Sequence, residues 1–322
     1  MDLAKLKSLY ERNSLPENSL KEAIAFMETV AKIVDPDLAD EAGIKKIVSE
    51  LVASGKNTVG NFVIMMRYFL ATGNTDRYIQ LTRYTGGLDV IENILKRLET
   101  RFGKEKMDLA MQGLSIPILG TDPSDMAIFT ARFMDNLKKN FNDKDIAFIL
   151  DGNNHGVPES AFISDKTLYE ASSDLDEYLE KLHAQKVAVL QKHADLNKVW
   201  FEQKINQEVV DFVKANQEIL SAVRKDDKLY MTKIPYDIDG YLHATDPKEK
   251  KYLGCHCPFA REAMKNGDTS ISPLWCHCSA GFEKLSFEFV LGTKLKIEIL
   301  ETILDGNERC RFAISLDGIK HK

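Results

Sequence analysis

The chain has 322 residues, 44% hydrophobic and 29% charged, with a formal net charge of −6; that length calls for more than one hydrophobic core, and that balance argues against long disorder. Lysines and arginines alternate with acids, as in Glu92–Glu99, so no nucleic-acid partner is expected. The longest apolar runs, such as Phe62 to Met66, are too short to cross a bilayer, and Met1–Lys5 does not open a secretory signal, so the expectation is no membrane and a cytosolic (cytoplasmic) location.

In chain order, residues 1–228 are expected to form successive helices. Pro16 stands where a first turn tolerates proline, and Leu20, Ala23, Ile24, Met27 and Val30 lie mainly on one helical stripe. Gly55 closes the run Ile44–Val52. Residues 57–72 are apolar on several faces, which predicts a buried central helix. Asp122-Pro123 opens a helix carrying Met126, Phe129 and Phe133, and Asn142–Leu150 forms a shorter one. A long polar helix is expected over 173–196 and another over 206–224. No fixed repeat period is visible.

The pattern changes near residue 229. Leu229–Tyr236 is rich in strand formers. Lys294–Glu301 and Arg309–Leu316 alternate polar with apolar around the turn former Asp305-Gly306-Asn307, which predicts a β-hairpin. Phe282–Leu291 reads as a helix ended by Gly292. The expected fold is therefore α+β: a mainly α-helical region, 1–228, followed by a small cysteine-rich α+β domain, 229–322, containing the hairpin.

All five cysteines (Cys255, Cys257, Cys276, Cys278 and Cys310) lie in that second part. In a reducing compartment such a cluster binds metal or does chemistry more often than it forms disulfides. Cys255-His256-Cys257 and Cys276-His277-Cys278 are the same tripeptide. In extended chain, residues i and i+2 face the same side, so each tripeptide would present two sulfurs. Two pairs complete a tetrahedral four-thiolate zinc site with His256 and His277 pointing away, or Cys310 or a carboxylate replaces one thiolate. Free thiols in a core, or thiol redox chemistry, are the competing readings.

The small residues Ser279-Ala280-Gly281 would let backbone amides approach the sulfurs. Arg261 and Lys284 read as surface charges or, if near a cysteine, as cations that lower its pKa and make a reactive thiol. His155, in the turn-forming stretch Asp151–Pro158, is either a turn residue or a ligand or base reaching the cysteines. Tyr236–His243 reads as a polar edge strand, or as acids and a histidine, His243, supplying the base beside an open hydrolytic zinc. There is no phosphate-cradling glycine loop and no Gly-X-Ser-X-Gly elbow.

Trp275-Cys276-His277-Cys278-Ser279-Ala280-Gly281, then Phe287–Gly292, Glu298–Gly306 and Cys310-Arg311-Phe312, together resemble the end of a 4-vinyl reductase (hydrocarbon-binding) domain. The stretch is also similar to L-2-amino-thiazoline-4-carboxylic acid hydrolase-like proteins. The resemblance implies zinc near a pocket for a small-molecule ligand, held by residues that match Cys278, Glu301 and Cys310. The family's further cysteine falls on Leu304, leaving Cys255, Cys257 or Cys276 to supply a ligand. By analogy, pairing into a homodimer is also implied. The functions under consideration are a zinc-associated small-molecule-binding or sensing protein, a metal- or thiol-dependent hydrolase of small cyclic amides or thiazolines, and a structural or interaction protein.

Overall fold

A computed structural model describes residues 1–265, 267 and 270–322. The fold is α+β, helical through most of its length with a small antiparallel sheet toward the C-terminus. Two compact units form, residues 1–88 with 117–126 and residues 89–116 with 127–322. The boundary expected at 228/229 falls inside the second unit, because the helices before it share a core with the sheet. Among the described residues, no helix is long and apolar enough to cross a membrane.

The first unit contains α1 (Leu3–Arg12), α2 (Glu17–Ala31), α3 (Glu41–Ala53), α4 (Val59–Thr72) and α5 (Thr75–Thr82). Its helix starts are set by short polar side chains that accept an orphan backbone N–H: Asp2 from Lys5, Asp40 from Gly43 and Thr58 from Asn61. Helix α4 is the predicted central helix, burying Phe62, Met65, Tyr68 and Phe69. It stops at Gly73, whose φ of +76° suits a residue without Cβ.

In the second unit, α6 (Val90–Phe102) and α7 (Lys104–Ala110) come first. Helix α8 (Pro123–Asn140) carries the chain onward from the first unit. Then come α9 (Asp143–Leu150), capped by Asn142, α10 (Ile163–Glu170), and α11 (Leu175–Asp195), capped by Asp174. The helix expected over 206–224 is shorter. Helix α12 runs only Gln207–Lys214, and residues Val223–Lys225 form strand β1 instead. Strand β1 pairs with β2 (Lys228–Thr232), so its backbone groups are satisfied in the sheet.

Tyr236–His243 is not an edge strand. The Asp237 carboxylate accepts from the Gly240 N–H and starts α13 (Ile238–His243). Helices α14 (Pro247–Gly254) and α15 (Arg261–Lys265) follow, and the cysteine loop 255–260 lies between them. A 3-10 turn (Pro273–Cys276) leads into α16 (His277–Glu283) and α17 (Leu285–Leu291), which ends at Gly292 with φ +67°. The predicted hairpin is β3 (Lys296–Glu301) with β4 (Arg311–Ser315), and a bulge shifts the register between Ile299 and Glu301. The sheet order is β1-β2-β4-β3, antiparallel throughout. Its buried face, with Leu229, Phe312 and Ile314, packs on Leu175, Tyr178 and Leu182 of α11 and on Phe287 and Val290 of α17. At about 25 cal/mol per Å² of apolar surface, each such fully buried side chain contributes roughly 1.5–3 kcal/mol.

Candidate functional site

All five cysteines line one cavity of about 60 Å³ in the second unit. They come from three places: the loop after α14, the 3-10 turn with the first turn of α16, and the residue before β4. Two close approaches bring these segments together. At Gly254, a Cβ would stand 3.0 Å from the Ile303 side chain and 3.1 Å from the Glu308 carbonyl, so glycine lets the first cysteine loop touch the β3–β4 connection. The backbone N–H of Lys233, just past β2, donates to the Cys310 carbonyl at 2.9 Å and fixes that cysteine beside the sheet.

In the first Cys-X-Cys, Cys255 is extended, with φ −82° and ψ 114°. The second is not extended. Cys276 and Cys278 lie on a helical segment, because the 3-10 turn opened by Pro273 continues directly into α16. Both cysteines of each pair nevertheless line the cavity. His256 lines it too, contrary to expectation, whereas His277 does not. Glu301 is elsewhere: it borders a separate polar cavity of about 390 Å³ with Glu218, Arg309 and Arg311 and lies opposite Arg311 in the sheet register. Geometry therefore does not bring Glu301 to the cysteines. Among the described residues, no three Cys, His, Asp or Glu side chains are grouped so as to hold a metal ion.

Several donors reach the sulfurs. The Trp275 indole Nε1–H donates to Cys257 Sγ at 3.1 Å, and the Asn154 amide to Cys278 Sγ at 3.6 Å. The Thr302 hydroxyl contacts Cys276, and backbone groups of Phe259 and Ala260 reach Cys257. Burial is the largest influence on every thiol and raises all five above the ordinary range, Cys278 to about 12. The neighbouring sulfurs add repulsion, and the donors and Lys233 only partly offset it. Raised pKa values favour the thiol over the nucleophilic thiolate.

Lys233 was not singled out in the sequence. Burial opposes its charge, but the Glu283 carboxylate at 2.9 Å outweighs this and holds its pKa above the usual value. It also donates to Ser279 Oγ at 2.9 Å and sits 5.2 Å from the Phe282 ring. His155 lines the same cavity, its ring 5.1 Å from Phe282. Desolvation by surrounding protein, then Lys233, lowers its pKa, although the residue keeps an exposed side. In His256, burial, followed by Lys233 and Arg261, lowers the pKa to about 3.

The loop bearing His155 is clamped onto α16. A Cβ at Gly281 would lie 2.6 Å from the Gly152 nitrogen. Lys284 pairs with Asp151 at 2.7 Å and is 6% exposed, so it is a buried clamp rather than a surface charge. Arg261, 4% exposed, is equally buried, with its guanidinium 3.5 Å from the Tyr236 ring centroid.

In comparisons with known proteins, residues 236–320 are similar to a family of unknown function (DUF6144). No curated protein and no solved structure matches the chain. The matched span includes all five cysteines, α13 through α17 and the β3–β4 hairpin.

Proposed function

We propose that the cysteine cavity is a thiolate metal centre, with zinc as its ion, and that the protein is a zinc-associated binding or sensing protein. The observation that supports this is the convergence of five thiols, far apart in sequence, on one small cavity. Sulfur donors select zinc over magnesium or calcium, and no Asp or Glu is among the described residues lining the cavity. A volume near 60 Å³ suits an ion and its ligand shell, not an organic ligand, whose pockets run to roughly 300 Å³ and more. That favours a closed centre holding the three segments together. Within this proposal, the resemblance to the 4-vinyl reductase group gives Cys278 and Cys310 ligand roles, and two further donors on the cavity, drawn from Cys255, Cys257, Cys276 and the histidines, complete a four-coordinate shell.

The hydrolase reading needs a depressed thiol pKa or an open metal position beside a base. The raised thiols weigh against its metal-free form. Metal analysis of purified protein, repeated on Cys257→Ser and Cys278→Ser, tests the proposal. About one zinc per chain, lost in the variants together with thermal stability, is expected. Metal-free protein of unchanged stability in chelator and in zinc would overturn it.

A further inference from the structure

We infer that His256 donates Nε2 to this centre, making it a mixed thiolate–imidazole site; the inference rests on the thiolate-centre reading. His256 lines the same cavity as the five cysteines. Its Nε2 is buried and has no hydrogen-bond partner. Leaving a buried ring nitrogen unsatisfied costs about 1–3 kcal/mol, so a partner is expected there.

The backbone carbonyls of Pro235 and Ile234 reach the ring, and with Nε2 unpartnered the nitrogen that faces them is Nδ1. Nε2 then keeps its lone pair. A carbonyl holding the far N–H is how proteins fix the tautomer and orientation of a ligating imidazole. The ring is further held edge-to-face against Tyr236, with centroids 5.5 Å apart, and Tyr236 is backed by Arg261. Glu301, the oxygen donor expected from the sequence, lies at a different cavity. The other histidine on the cavity, His155, is exposed and shows no such orphaned atom.

The test uses the full chain loaded with zinc, read by zinc-edge X-ray absorption and by competition with a chelating dye. The wild-type shell should contain both sulfur, near 2.3 Å, and nitrogen, near 2.0 Å. His256→Ala should lose the nitrogen and bind zinc at least about tenfold more weakly. His256→Cys should restore tight binding with an all-sulfur shell, which separates loss of a donor from loss of fold. A sulfur-only wild-type shell with unchanged affinity in His256→Ala overturns the inference and leaves the thiolate centre standing. Wild-type protein that takes up no zinc overturns both.

Discussion

Gly281→Ala sets two effects of opposite sign against each other. Gly281 lies inside α16, where alanine ordinarily gains about 0.5–1 kcal/mol over glycine. Here, however, the new Cβ would meet Gly152 N at 2.6 Å and Asp151 C and Gly152 O at 2.9 Å. These are backbone atoms, so no rotamer change relieves the contact. Overpacking of this kind costs about 1–3 kcal/mol, and the upper half applies where backbone must move. The net expectation is a loss of about 1–2 kcal/mol, or about 2–8 °C in Tm for a unit of this size. The displaced segment also carries Asn154, whose amide donates to Cys278. Thermal unfolding followed by circular dichroism, with Gly292→Ala alongside, is the assay. Gly292 has nothing within 4 Å but a φ of +67°, so its variant should show only the left-handed backbone cost, about 1 kcal/mol. A Gly281→Ala protein as stable as wild type, or more so, would refute the clamp between the 151–155 loop and α16.

Trp275→Phe keeps an aromatic ring against Phe259 but removes the donor to Cys257, so a loss of about 1–2 kcal/mol is expected in denaturant unfolding. Unchanged stability would deny the indole–sulfur bond a role. Glu218 accepts from Nη2 and Nε of Arg311 at 2.7 and 2.8 Å, and that pairing lowers its pKa. A lowered folded pKa gives stability that is present above the unfolded value and lost as pH falls through the folded one. The Tm gap between wild type and Glu218→Gln should therefore be largest near neutrality and close as pH falls through and below the ordinary glutamate range; a constant gap counts against the pair. His256 behaves with the same sign, its folded pKa of about 3 lying below the ordinary 6.5. Chelator-treated wild type should lose stability as pH falls below about 6.5, and His256→Gln should lose less.

Much of the fold was legible because local signals agreed with tertiary packing. Asp40, Thr58, Asn142 and Asp174 cap their helices as such residues do, and the alternation on either side of Gly306 gave the hairpin. The departures have identifiable causes. Asp237 with Gly240 three residues on is a cap, and it turned an apparent strand into α13. Extended geometry does not hold for the second Cys-X-Cys, because Pro273 pre-sets a helical turn there. That the cysteines would line one cavity had a signal in the repeated tripeptide. That His256 lines the same cavity and Glu301 another depends on where Tyr236 and the β3–β4 bulge fall, which no local pattern carries. Lys233 had a faint signal, a lone lysine amid strand formers immediately before Ile234 and Pro235.

Quantifying zinc in protein purified without chelator, together with titration of its native-state thiols, probes the shared cavity most directly. We predict about one zinc per chain, with the thiols silent until a chelator removes it and at least three then titrating together. Protein that carries no zinc even after growth in zinc-supplemented medium, and whose thiols respond identically with and without chelator, would contradict the account.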